Sequence, residues 1–195
     1  MTTLDRIRVW LWLDVWTPAY SAWRNWWAWR RLGSGDRNDA MEQLAVWHGE
    51  MSRGMQPGRD LSRFAQSILN ADTMYAEDVA VDYTQSPRTI ASEVGNVHAL
   101  APCDCEDYAT LGGWLFGRVG IRGRIVTMIK RGPRSWRTLW FEPWEAHAVW
   151  VATTRNAYIY MVDNESVIQG EDAVIEQMLS WIGRGFVPVH WLPTK

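Results

Sequence analysis

An α+β fold is predicted from a change of texture along the chain. Up to about residue 119 apolar residues recur at helical spacing, whereas from residue 123 short runs rich in β-branched and aromatic residues read as strands, and a last helical pattern follows them. With 195 residues, 47% of them hydrophobic and 22% charged, the chain is large enough for one globular domain with a real core plus an accessory segment. Helices first and strands after is the order of an α+β domain.

Fifteen tryptophans are the anomaly of the composition, and Trp10, Trp12, Trp16, Trp23, Trp26, Trp27 and Trp29 all fall within the first thirty residues. That segment, residues 1–33, reads as two helices forming an arm. The first runs from about Thr3 to Trp16. The second starts with Thr17 as N-cap and Pro18 at the first helical position, where a missing N–H costs nothing, and stops at Gly33. Trp12, Trp16, Trp23 and Trp27 share one face only if Pro18 does not turn the chain sharply; a hairpin of two helices is equally compatible.

The string "GSGDRND" at 33–39 reads as a polar linker into a domain covering 34–195. "DAMEQLAVWHGEMSRGM" then shows helical periodicity with Asp39 as a possible cap, and "PGRDLSRFAQSILNAD" reads as a further helix. "VDYTQSPRTIASEVGNVHALAP" is less regular, with turn signals at Ser86-Pro87 and Gly95-Asn96.

"DCEDYATLGGWLFGRVG" reads as a helix from Cys105, with Asp104 in the capping position, acids in the first turn and Tyr108, Leu111, Leu115 and Val119 on one face. Its Gly112-Gly113 pair weakens the helix and implies close packing. Strands are expected at 123–130, at 137–141 ("RTLWF"), at 146–154 and at 157–163. The last two are joined by an Arg155-Asn156 turn, as in an antiparallel hairpin. A helix, "EDAVIEQMLSWIG", and a tail containing "FVPVHW" complete the order.

A formal net charge of −2 gives no global drive toward nucleic acid, and none is expected as a partner. Cys103 and Cys105 stand too close for an unstrained disulfide, so no disulfide framework is expected. The apolar stretch near the start is broken by Arg6, Arg8 and Asp14, so it does not read as a secretory signal, and the expectation is synthesis in the cytoplasm.

A thiol is a poor nucleophile at neutral pH, and a helix N-terminus is one of the few places where aligned backbone dipoles favour the thiolate. Cys105 is placed there. Asp104, Glu106 and Asp107 oppose the effect, so a nearby imidazolium is called for. Of the four histidines, only His147 lies in a strand-like segment able to pair beside the cysteine helix, while His48, His98 and His190 read as surface or packing residues. Asp163, at the end of the adjoining strand, is placed to bond the far ring nitrogen and hold the working tautomer. The bland alternatives are a buried structural thiol, a satisfied strand histidine and an aspartate capping a turn with Asn164. Zinc held by Cys103, Cys105 and His98 is a further alternative with an incomplete ligand set.

"CDCEDYA" resembles the "GDCEDYA" nucleophile motif of bacterial transglutaminase-like cysteine peptidases, "HAVWV" their histidine strand and "VDN" their aspartate motif; "YAEDVAVDYTQSPRTI" is similar to the segment before their cysteine. The resemblance covers roughly residues 60–164 in a consistent order. It implies a transglutaminase-like, papain-like core with the nucleophile helix packed on an antiparallel sheet, carrying Cys105, His147 and Asp163 as catalytic residues. It also implies acyl transfer on amide bonds of a peptide or peptidoglycan substrate. No cofactor is required by that chemistry. Some relatives bind calcium through acids flanking the cysteine, and Asp104 and Glu106 match those positions. Two departures stand out: Cys103 replaces the family's glycine, and "EVGNVHALAP" is an extra stretch before the motif.

The basic loop "KRGPRSWR", with Lys130, Arg131, Arg134 and Arg137, reads as a solvated hairpin loop, and Trp136, Trp140 and Trp144 as rim or core residues. For the arm the expectation is docking onto a protein partner or oligomer, since tryptophan is enriched at interfaces; a membrane interface is the less favoured alternative. The setting this suggests is a cell-wall or protein-processing hydrolase associated with a virion, such as a phage tail. The rival is an assembly protein that reuses the same fold with little or no turnover.

Overall fold

The computed structural model describes residues 3–76, 84–97, 100–131, 144–154 and 158–194. The chain is a mixed α+β protein with an antiparallel sheet and tryptophan-rich N-terminal helices. Its elements are α1 (Thr3–Trp10), a π-helical segment (Leu11–Trp16), α2 (Thr17–Arg31), α3 (Ser34–Gly54), α4 (Leu61–Asp72), β1 (Thr73–Tyr75), α5 (Pro87–Val97) and β2 (Ala101–Cys103). They are followed by α6 (Cys105–Arg118), β3 (Arg124–Arg131), β4 (Trp144–Thr153), β5 (Ile159–Asp163), β6 (Ser166–Gln169), α7 (Glu171–Gly183) and β7 (Val187–Pro193).

The sheet order is β6-β5-β4-β3-β7, every neighbour antiparallel, while β1 and β2 form a separate parallel pair. Alternation along the strands gives the sheet two apolar faces. Ala148, Trp150 and Ala152 of β4, with Tyr160 and Val162 of β5, join Tyr108, Leu111, Leu115 and Phe116 of α6 in the larger core, completed by Trp47, Leu69 and Ile90 from the other helices. Val149, Met161, Val126 and Met128 face the opposite way, onto Val174 of α7 and Phe186. Each such buried aromatic or aliphatic side chain contributes roughly 1.5–3 kcal/mol.

Gly112 and Gly113 allow α6 to lie directly on the sheet: a Cβ at Gly112 would stand 2.6 Å from Val162 Cγ2, and one at Gly113 3.0 Å from Trp150. The close packing expected from that pair is present, and Phe116 stacks on Trp150 with ring centroids 4.7 Å apart.

Four local expectations are corrected. Thr17 does not cap a new helix, because Trp16 (φ −72°) and Thr17 (φ −58°) are both helical and the chain passes through them without a hairpin. Pro18 deletes an N–H and crowds the preceding turn, and the π-helical segment before it, in which the Thr17 N–H reaches the Trp12 carbonyl, accommodates both effects. The expected linker at 33–39 is the start of α3, where the Gly33 N–H donates to Asp36 Oδ2 at 3.1 Å. The stretch expected to be irregular contains α5: Ser86 acts as its cap, accepting from the Thr89 N–H at 3.2 Å, and Pro87 is its first residue. Gly95 lies inside this helix, and a Cβ there would meet Asp39 of α3 at 3.2 Å.

The fourth correction concerns strands: β1, β2 and β6 were not anticipated, and the tail containing "FVPVHW" is β7. The expected strand at 137–141, the Arg155-Asn156 turn, and Arg134, Trp136, Arg137, Trp140 and His98 lie outside the described residues.

Candidate active site

Asp104 builds the start of α6. Its Oδ1 accepts from the backbone N–H groups of Glu106 at 3.0 Å and Asp107 at 3.1 Å, and the Asp104 N–H donates to Asp107 Oδ2 at 3.1 Å. This reciprocal cap leaves Cys105 as the first residue of the helix, where the dipole favours a thiolate. Gln85 locks the same turn from outside. Its N–H donates to Asp107 Oδ1 at 2.5 Å, and its Nε2 to Asp107 Oδ2 at 3.1 Å and to the Pro102 carbonyl at 2.8 Å.

The two cysteines occupy different environments. Cys105 is half-buried, while Cys103 is wholly buried, and burial, reinforced by Asp107, Glu93 and Asp104, pushes its thiol far up. Cys103 is therefore a packing residue at neutral pH.

His147 on β4 and Asp163 at the end of β5 meet directly, His147 Nε2 to Asp163 Oδ1 at 2.7 Å, with both side chains buried. The second oxygen of Asp163 accepts from Gln177 Nε2 at 2.5 Å and from Trp181 Nε1 at 2.7 Å, both on α7. Burial alone raises the Asp163 pKa, yet the hydrogen bonds from His147, Gln177 and Trp181 outweigh it and hold the carboxyl below its usual range. An ionised carboxylate only accepts, so Nε2 of His147 carries the proton and Nδ1 is left as the basic nitrogen of the neutral ring. Trp181 lies against the imidazole, ring centroids 3.8 Å apart at 25°, and Phe186 closes on it edge-on at 6.3 Å.

The structure thus joins His147 to Asp163, while the position of Cys105 relative to them follows from the elements. The pair faces α7, on the same side of β4 as Val149; α6 packs on the other side. The β4–β5 ladder pairs Trp150–Thr153 with Ile159–Val162, so β4 continues back through His147 beyond its last β5 partner. At that margin the sheet is two strands narrower, β5 and β6 having ended and β4, β3 and β7 remaining.

Asp104 and Glu106 are otherwise engaged. Asp104 caps α6, and Glu106, also buried, accepts from Thr84 Oγ1 at 3.3 Å. Among the described residues no group of three or more His, Cys, Asp or Glu comes together that could hold a metal ion. Asp104 and Glu106, so engaged, do not by themselves complete a calcium site.

Sequence reasoning missed the supports. Gln177 and Trp181 stand four apart on one face of a helix that was itself expected, and Asp107, read only as a charge opposing the thiolate, is the reciprocal partner in the α6 cap. A cleft of about 660 Å³ between α2, α3, α5 and α6 is lined on α6 by Trp114 and Arg118. That places it roughly 14 Å along the helix from Cys105, which does not line it.

In comparisons with family models, curated proteins and solved structures, nothing matches this chain.

Proposed function

We propose that the chain is a thiol hydrolase of the transglutaminase-like type that cleaves amide bonds in peptides or peptidoglycan. One observation carries the reading: a buried histidine whose Nε2 is fixed by a carboxylate that two further donors hold in place, in a sheet whose other face carries a half-buried cysteine at a capped helix start. That is the arrangement needed to ready one ring nitrogen for proton transfer.

In the mechanism, His147 Nδ1 takes the proton of Cys105, and the thiolate forms a C–S bond with the amide carbonyl carbon. The tetrahedral oxyanion collapses as the C–N bond breaks, and His147 returns the proton to the leaving amine. Water, deprotonated by His147, then adds to the thioester; the C–S bond breaks, releasing a carboxylic acid and restoring the thiol. Asp163 stabilises the imidazolium in both halves. The Cys105 backbone N–H is one donor for the oxyanion. The reading requires Nδ1 to meet Cys105 past the narrowed margin of β4.

A second reading is favoured by the placement of the pair on the α7 face, opposite α6: the same fold serving as a binding module of an assembly, without turnover. The two are separated by measuring the rate of Cys105 alkylation by iodoacetamide against pH in the wild type, His147→Ala and Asp163→Asn. A catalytic pair gives a wild-type thiol reactive at neutral pH that both substitutions slow about tenfold or more. Equal rates in all three would sink the hydrolase reading, with buried Cys103 as the unreactive internal control. Digestion of peptidoglycan and a peptide library by wild type and Cys105→Ala then identifies the substrate.

A further inference from the structure

We propose that the outer face of α2 is a docking surface for a lipid bilayer bearing anionic headgroups. The helix is built inside out. The side it turns to the protein is small and polar: Thr17 and Ser21 are buried, and Ser21 Oγ accepts the Thr84 N–H at 2.8 Å. Asn25 gives its Nδ2 to the Thr84 carbonyl at 2.8 Å and receives the Ser86 N–H at 2.8 Å and the Thr89 hydroxyl at 2.7 Å. Hydrogen bonds along this side, with Trp29 packed on the main core near the end of the helix, therefore hold α2 to the body.

The opposite side carries Trp16, Tyr20, Trp23 and Trp27. At about 100° per residue they fall within an arc of about 60°. They form one column, with successive ring centroids 6.1, 5.9 and 6.5 Å apart, about 16 Å long from end to end. Trp16, Trp23 and Trp27 are 60%, 52% and 41% exposed, although each indole is a large apolar surface that folding would ordinarily hide.

Charge and shape select the occupant. α2 contains Arg24, Arg30 and Arg31 and no Asp or Glu, and Arg30 and Arg31 lie over Trp26 and Trp27 at 4.9 and 4.7 Å. An aromatic stripe edged by cations along the exposed side of a helix, with Trp16, Tyr20, Trp23 and Trp27 outside the cleft that Trp26 and Trp29 border, suits a planar anionic surface. Indoles settle at headgroup depth and guanidinium groups pair with phosphates. Among the described residues no helix is long and apolar enough to cross a membrane, so α2 would lie in the plane of the interface. None of these residues belongs to the thiol site, so the two readings stand or fall separately.

The test is co-sedimentation of the full chain with vesicles of phosphatidylcholine alone and of phosphatidylcholine mixed with phosphatidylglycerol, beside its sedimentation mass without lipid. The expected result is binding to the anionic vesicles at least about tenfold tighter than to the neutral ones, weakening as salt rises. Trp23→Ser/Trp27→Ser and Arg30→Gln/Arg31→Gln are each expected to weaken it about tenfold or more while keeping the wild-type circular dichroism and melting temperature. Binding by both variants at wild-type strength overturns the proposal. So does a chain that ignores both vesicles, which leaves a protein as the occupant. A lipid-free dimer abolished by the double serine variant also overturns it, and gives the stripe to a second copy.

Discussion

Trp181 does two things to His147 at once: its ring stacks on the imidazole at 3.8 Å, and its N–H bonds the same aspartate, Asp163, that holds His147. The stack fixes the plane of the histidine and the hydrogen bond fixes its partner, so one side chain of α7 constrains both members of the pair. Trp181→Phe separates the two effects, keeping an aromatic ring while deleting the donor to a buried carboxylate. A loss of roughly 1.5–3 kcal/mol is expected, the range for a hydrogen bond to a charged group. It would be read as a lower urea midpoint at unchanged slope. A variant as stable as the wild type would mean that Gln177 alone suffices.

Asp163 makes stability depend on acid in a defined direction. Its folded pKa is lowered by His147, Gln177 and Trp181 against the opposing effect of burial. A depressed folded pKa means that the unfolded chain takes up the proton first. The contribution is therefore fully present above the unfolded value of about 3.9 and is lost as pH falls through the lower folded value. The stability gap between wild type and Asp163→Asn should be widest near neutral pH and close as pH drops below about 4. Urea titrations across that range measure it, and a gap that widens in acid would contradict the sign.

The helical first half and the strand-rich second half were legible because each long element carries its own period, and the α6 cap was legible because Asp104 advertises it, although its reciprocal partner Asp107 was not. Elements set by tertiary partners were not. α5 was hidden by Pro87 and Gly95, which read as punctuation but are a first-turn proline and a close-approach glycine against Asp39. The continuity of the arm was hidden in the same way, since nothing local says that a π-helical segment will absorb Pro18. At the site, His147 and Asp163 could be paired from strand order, while Gln177 and Trp181 depend on how α7 returns across the sheet.

The approach of α6 to the sheet yields a third expectation. Replacing a helical glycine by alanine ordinarily gains up to about 1 kcal/mol in helix propensity. At Gly112 the new methyl would stand 2.6 Å from Val162 Cγ2 and 2.9 Å from its Cβ, so the helix must lift or the strand must shift. Overpacking of this kind costs about 1–3 kcal/mol, which wins. Gly112→Ala should lower the melting temperature, and adding Val162→Ala should recover part of the loss because the obstructing methyls are gone. Additive losses in the double variant would show that the clash is not the cause.

Beside the packing of Trp12 and Trp29 on the buried clusters, a polar fastening point of the arm is Asn25. That side chain satisfies the Thr84 carbonyl, the Ser86 N–H and the Thr89 hydroxyl at 2.7–2.8 Å, tying α2 to the segment that starts α5. Asn25→Ala leaves the Ser86 N–H and the Thr84 carbonyl without these partners, at a cost of about 1–3 kcal/mol for each that stays buried. The loss should be local, because the core around α6 and β4 has no part in these bonds. Hydrogen exchange should therefore accelerate in α2 and limited proteolysis should cut sooner within residues 1–33, while amides of β3 and β4 keep wild-type protection. If α2 stays equally protected, the arm is held instead by Val9 and Leu13 packed on Ile129, and by Asp14 bonded to His190 at 2.7 Å; Leu13→Ala is then the substitution that releases it.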